Sequence, residues 1–239
     1  MRLIELFSGT GSVGRPWRVA GHTVISVDID GRFGAEIVGD IMELSCCELT
    51  TTQDVMQLGG VSDTTPPDVM QLGGASDAPP PDVIWASPPC EQYSCARTNA
   101  KTIRNLELAD ALVNKTWAIT EHFKKVNPAL IWFIENPDTS LLWKRFKFPE
   151  YVRLDYCQYG EPYRKRTRIA TNIQWVPRAL CNPKTCSRCV NGKHLQTAQK
   201  GPSMRGGVRV TGDNCSLDQL HGLPQELTDE ILRISSILS

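Results

Sequence analysis

Ser87-Pro88-Pro89-Cys90 sets a thiol just after the apolar run Val83-Ile84-Trp85-Ala86. Two prolines fix φ and remove two N–H donors, so the run stops there and the loop is stiff. A cysteine so placed either fills a gap beside a turn or acts as a nucleophile, and open α/β sheets build their sites at the carboxyl ends of strands. A second apolar run ends in Phe133-Ile134-Glu135-Asn136-Pro137. Its glutamate, a turn residue or a proton donor, is expected beside Cys90 at the same edge. Upstream, Phe7-Ser8-Gly9-Thr10-Gly11-Ser12-Val13-Gly14 follows the first apolar run. Glycines there allow close backbone approach to a nucleotide-like cofactor, or merely link strand to helix. Asp28, in Val27-Asp28-Ile29-Asp30, can accept both hydroxyls of a ribose or cap a turn, and Asp40, in Gly39-Asp40-Ile41, can accept from an adenine amino group. Tyr163-Arg164-Lys165-Arg166-Thr167-Arg168 then supplies cations leading into another strand.

The elements that must position these groups are short apolar runs separated by helix-length stretches. Leu3 to Phe7, Thr23 to Val27, Val83 to Ala86, Leu130 to Ile134, Val152 to Cys157 and Thr167 to Thr171 read as strands. A helix is expected from Asn105 to Val126, with Leu108, Leu112, Trp117, Ile119 and Phe123 apolar, and a last one from about Pro224 to Leu238. This alternation predicts a mostly parallel sheet covered by helices. Between them, Asp54-Val-Met-Gln-Leu-Gly-Gly60 recurs at Asp68-Val-Met-Gln-Leu-Gly-Gly74. Two such short copies cannot stack as a solenoid, so they read as a mobile, dispensable insertion in a strand-to-strand connection.

A chain of 239 residues, 41% hydrophobic, can bury one sizeable core, and it contains no run long enough to span a membrane. Met1-Arg2-Leu3-Ile4-Glu5-Leu6-Phe7 is too short and too soon acidic for a signal peptide, and nine unevenly spread cysteines suit reduced thiols rather than a disulfide framework. An intracellular, reducing compartment is expected: the cytoplasm of a prokaryote or virus-infected cell, or a nucleus. Zero net charge hides an asymmetry. Residues 1–143 hold 10 Lys+Arg against 18 Asp+Glu, residues 144–209 hold 15 against 3, and residues 210–239 hold 1 against 5. The central block, with Tyr151, Tyr156 and Tyr159, reads as a surface for a polyanion.

Within that block, Cys181-x4-Cys186-x2-Cys189-x4-His194 has turn-forming spacers, Asn182-Pro183-Lys184 and Asn191-Gly192-Lys193. Three thiolates and an imidazole could converge on Zn²⁺, with Cys157 as a substitute ligand, or the stretch is a basic loop with incidental thiols.

In order along residues 1–172, Phe7-x-Gly9-x-Gly11, Asp28, Asp40, Pro88-Pro89-Cys90, Glu135-Asn136 and the Gly-x-Pro-x-basic stretch at 160–168 resemble the cytosine-5 DNA methyltransferases. Leu220-His221-Gly222-Leu223-Pro224 is a weaker echo of the family's closing Leu-Gln-Gly-Phe-Pro. The chain departs from the family with Glu91 for glutamine, Pro137 for valine and Tyr163 to Arg168 for Gln-x-Arg-x-Arg, where either Lys165 or Arg166 takes the first arginine's place. Only a few dozen residues stand where the family carries a long target-recognition domain.

The resemblance implies an α/β fold of the class I methyltransferase kind, a Rossmann-like, mostly parallel sheet with helices on both faces and a small Cys/His-containing basic appendage. Residues 1–172 would form the catalytic domain, with 53–81 as the repeat-containing insertion. Residues 173–215 would form a basic, zinc-stabilised nucleic-acid recognition segment, and 216–239 a C-terminal helix returning to the catalytic domain. It further implies S-adenosylmethionine held by Phe7, Gly9, Thr10, Gly11, Asp28, Ile29, Asp40, Ile41 and Pro88. Cys90 would attack C6 of cytosine, Glu135 would donate to N3, and Lys165 or Arg166 would bind O2. The partner would be double-stranded DNA with a flipped cytosine, and no obligate protein partner is inferable. RNA, a cytosine nucleotide or a non-catalytic nucleic-acid-binding role are the competing readings. A nicotinamide dehydrogenase could share the glycine loop but has no use for Pro-Pro-Cys paired with Glu-Asn.

Overall fold

The computed structural model describes residues 1–50, 78–95, 103–194, 196, 198, 203–205, 208–210 and 220–238. Both copies of the repeat at 54–74 lie outside the described residues.

Seven strands form one sheet: β1 (Arg2–Leu6), β2 (Thr23–Asp28), β3 (Ile37–Val38), β4 (Val83–Ala86), β5 (Ile131–Pro137), β6 (Tyr151–Asp155) and β7 (Arg166–Thr171). Their order is β3-β2-β1-β4-β5-β7-β6, parallel except that β7 runs antiparallel to both neighbours. This is the expected Rossmann-like, mostly parallel sheet with helices on both faces. Alternate residues of each strand face opposite layers. Leu3, Val83, Trp85, Ile131 and Phe133 join Trp17 of α1 (Gly14–Val19) and Leu227 and Ile231 of α4 (Gln225–Leu238) in one core. Ile4, Leu6, Ile84, Ala86, Trp132 and Ile134 join Ile119 and Phe123 of α2 (Leu106–Val126) in the other. Helices therefore cover both faces. A short α3 (Leu142–Arg145) follows β5.

Helix α2 starts where Asn105 accepts from the Leu108 N–H at 3.0 Å. Its buried stripe is Ala109, Val113, Thr116, Ile119, Thr120 and Phe123, and the expected stripe is corrected at Leu108, which is 52% exposed. Threonines can replace aliphatics there because Thr116 and Thr120 donate to the carbonyls of Leu112 and Thr116. Two further elements escaped the sequence reading: β3, only two residues long, and α1, which carries Pro16. After β7 the chain forms two small hairpins, β8 (Cys189–Val190) with β9 (Lys193–His194) and β10 (Ser203–Arg205) with β11 (Val208–Val210). Among the described residues no helix is long and apolar enough to cross a membrane.

Candidate active site

The β1–α1 turn is shaped by backbone that few side chains adopt. Gly9 and Gly11 have φ of +49° and +65°, and a Cβ at either would meet nothing within 4 Å, so the turn leaves open space above it. Phe7, not a glycine, also sits at φ 58°, a strained conformation of the kind that gathers at functional sites. Asp28, at the end of β2, braces this turn: its Oδ2 accepts from the Gly9 N–H at 2.7 Å and its Oδ1 from the Asp30 N–H at 2.9 Å. From below, buried Glu5 accepts from the N–H groups of Gly14 at 2.9 Å and Val13 at 3.3 Å. Burial pushes the Glu5 carboxyl up to about 7 despite those bonds.

The Pro-Pro-Cys loop is held from two sides. Asn136 Nδ2 donates to the Pro88 carbonyl at 2.8 Å, and the Tyr93 N–H donates to the Cys90 carbonyl at 3.1 Å. Glu135 projects from β5 on the same face as Phe133, is buried, and its Oε1 has no hydrogen-bond partner. Burial raises its pKa, an effect partly offset by the Lys165 ammonium and the hydroxyls of Ser87 and Thr167. The Cys90 thiol is pushed up by burial first and by the Glu135 charge second, with Lys165 pulling it down.

These groups line one cavity of about 280 Å³, together with Phe7, Ser8, Gly9, Thr10, Asp28, Phe33 and Pro88. Cys90, Glu135 and the glycine loop, far apart in sequence, thus share one space at the carboxyl edge of the sheet. Lys165 and Arg166 separate here. Lys165 lines the cavity, donates to the Leu220 carbonyl at 3.0 Å and lies 5.0 Å from the Tyr156 ring. Arg166 turns to its cross-strand partner Asp155, which is fully buried, through bonds of 2.9 and 2.8 Å. Gly11 lies in the adjoining depression beside Arg15 and Glu36. Besides Gly11, three expected cofactor residues stand outside the cavity lining: Ile29 is 72% exposed, Ile41 is in the core under α2, and Asp40 caps its own turn at the Met42 N–H.

The sequence reading missed Phe33, Ser87, Glu5 and His221 as lining residues. His221, Gly222 and Leu223 close one wall, tied down where the Leu223 N–H donates to Ser12 Oγ at 3.1 Å. The only signal for that wall was the echo at Leu220 to Pro224.

Away from the cavity, donor atoms of Cys157, Cys181, Cys186 and His194 lie within 4.8 Å of one another, and Cys189 Sγ lies 3.4 Å from His194 Nδ1. The basic block is partly neutralised by folding. Arg145 pairs with Asp110, Arg153 and Arg168 with Asp138, Arg166 with Asp155, and Arg178 with Glu226 and Glu230.

The fold is a mostly parallel α/β sheet with helices on both faces, with a thiol and a buried carboxyl meeting in one cavity at its carboxyl edge. No family model matches the chain. In sequence it is similar to a "Probable DNA (cytosine-5)-methyltransferase" of Frog virus 3 (isolate Goorha), 31% identical over 116 residues, a match spanning 43% of this chain and 52% of that protein. The chain thus matches about half the length of that curated relative. Among solved structures it is similar to the Dnmt2 methyltransferase of S. pombe, at 15% identity and TM-score 0.42, covering 74% of this chain and 53% of that one. It is also similar to the methyltransferase EhMeth of Entamoeba histolytica, at 15% identity and TM-score 0.39, covering 77% and 58%.

Proposed function

We propose that this chain methylates C5 of cytosine in DNA, using S-adenosylmethionine, through a transient bond between Cys90 and C6 of a base flipped from the duplex. The observation that carries the reading is the convergence of Cys90, Glu135 and Lys165 on one cavity continuous with the glycine loop. The sequence relative, itself a probable DNA (cytosine-5)-methyltransferase, supports it.

The open space over Gly9 and Gly11 and the carboxylate of Asp28 fit a cofactor with a ribose, and Phe33 offers an aromatic face. When bound, S-adenosylmethionine supplies an electrophilic methyl group. The chain's own residues prepare the acceptor. C5 of cytosine is too weak a nucleophile unaided, so the Cys90 thiolate forms a bond to C6 and pushes electron density toward C5. Glu135, whose carboxyl burial pushes above the usual carboxylate range, donates a proton to N3, while its other oxygen accepts from the exocyclic amine. Lys165 faces the O2 oxygen, where negative charge collects. After C5 takes the methyl, its proton leaves to solvent, the electron pair re-forms the ring double bond, and the thiolate is expelled. N3 returns its proton to Glu135.

A second reading, the same chemistry on a free cytosine nucleotide, is favoured by one observation: five arginines of the basic block are held in internal ion pairs. Incubation with methyl-labelled S-adenosylmethionine and DNA, RNA and dCMP in parallel separates the two. Label in DNA is expected. Label only in RNA or dCMP moves the reading to that substrate, and label in none overturns it.

A further inference from the structure

We propose that Cys157, Cys181, Cys186 and His194 hold a structural metal ion, Zn²⁺ by the chemistry of its donors, which fastens the segment after β7 to the β6–β7 hairpin. Three of the four side chains are buried, and all four donor atoms lie within 4.8 Å of one another. Cys181 Sγ and Cys186 Sγ stand 3.8 and 3.5 Å from His194 Nε2. Two ligands on a tetrahedral zinc, with Zn–S about 2.3 Å and Zn–N about 2.0–2.1 Å, are separated by roughly 3.6 Å. The donors therefore already stand at coordinating separation.

Local structure explains how they meet. Asn182 and Pro183 begin a turn in which the N–H groups of Thr185 and Cys186 donate to the Asn182 carbonyl at 3.1 and 2.9 Å. Asn191 and Gly192, both at positive φ, join β8 to β9 and set His194 opposite Cys189. Cys189 Sγ lies 3.4 Å from Nδ1 and 3.7 Å from Nε2, nearer the former. It is therefore assigned to the second ring nitrogen, as a partner that orients a histidine coordinating through Nε2.

Apart from Trp175 in the core and hydrogen bonds from Arg178, Cys181 and Arg188 to residues 155–160, little else holds this segment. Val176, Leu180 and Val190 are exposed, so apolar burial contributes little, and a metal can take the place of a core. Cys157 makes the site a clamp. It lies two residues past Asp155, whose Oδ2 accepts both from Arg166 and from the Cys181 N–H at 2.9 Å. A metal there would fix the hairpin that delivers Lys165 to the cavity.

Elemental analysis of the full-length protein, purified without chelator, should give about one zinc per chain. Cys157→Ser and Cys186→Ser should each lose most of it, and Cys189→Ser should keep it. Because the serine variants could fail to fold, Co²⁺ exchange into the wild type provides a second reading. Intense thiolate-to-metal charge transfer with tetrahedral d–d bands is expected. Absence of metal together with absence of those bands overturns the proposal. So does a Cys157→Ser protein with full zinc beside a Cys189→Ser protein with none, which would confine the ion to the appendage. None of these readouts involves methyl transfer, so the outcome stands apart from that of the proposed reaction.

Discussion

The cavity at the sheet edge and the Cys/His cluster 22 to 59 residues downstream of Glu135 both gather cysteine with other reactive groups, but they are held together by different forces. Around the cavity, Glu135 and Asp28 ride on strands, and Cys90 follows one, whose other residues fill two apolar cores. Their positions are fixed by hydrophobic burial, and the polar groups can be strained or desolvated at little risk to the fold. In the cluster the reactive groups are themselves the scaffold, since the surrounding apolar residues are few and exposed. The same residue type therefore serves chemistry in one place and architecture in the other.

The sharpest way to break this contrast is to remove one thiol from each region. Cys90→Ala should lower methyl transfer by roughly three orders of magnitude or more, the scale of losing a covalent nucleophile, while leaving thermal unfolding within a few degrees of wild type. Cys186→Ser should instead lower the melting temperature and open the 181–194 segment to proteolysis. If Cys90→Ala unfolded the protein and Cys186→Ser did not, the two regions would have exchanged roles.

Next in size is the cofactor side. Asp28→Ala removes the proposed acceptor for ribose hydroxyls and also releases the Gly9 N–H. At roughly 1.5–3 kcal/mol per hydrogen bond to a charged group, cofactor affinity should fall about tenfold or more, measured by calorimetry. Unchanged affinity would place the ribose elsewhere.

A smaller effect concerns the charges around the thiol. Burial and Glu135 raise the Cys90 pKa and Lys165 lowers it, so alkylation of Cys90 should accelerate as pH rises above neutrality. At a pH where Glu135 is ionised, Glu135→Gln removes its negative charge and should speed alkylation by roughly threefold to tenfold, whereas Lys165→Met should slow it by a similar factor. Equal rates in all three proteins would separate these groups electrostatically.

The smallest effect is on stability. Glu5 titrates near 7 in the fold and near 4.5 in its absence, so the native state binds the proton more tightly. Its contribution is fully present below pH 4.5 and is lost as pH rises through about 7, a change of about 3 kcal/mol at most. Urea unfolding across that window should show a shallower decline for Glu5→Gln than for wild type. An identical slope would mean that Glu5 is ionised throughout.

The parts of the site carried by strand ends were legible because an apolar run closed by proline or an acid fixes both position and direction. This applies to Cys90, Glu135 and the glycine loop. The parts made by distant contacts were not. His221 and Leu223 reach the cavity through a bond to Ser12 across nearly the whole chain, and no local pattern encodes that meeting. The sequence left Lys165 and Arg166 as alternatives because Lys165 precedes β7, where strand alternation does not yet apply, and only the cross-strand partner Asp155 draws Arg166 away. The charge of the central block was legible as a sum, but not the pairing of its arginines with acids from α2, α4 and the end of β5.

The most direct test of the central assignment uses duplex DNA in which 5-fluorocytosine replaces the target base. Fluorine at C5 cannot leave as a proton, so the thiolate cannot be expelled. With S-adenosylmethionine present, the wild type should form a protein–DNA adduct that survives denaturation and maps to Cys90, and Cys90→Ser should form none. An adduct at Cys95, an adduct in Cys90→Ser, or a wild type that binds cofactor and DNA yet forms no adduct would contradict Cys90 as the nucleophile.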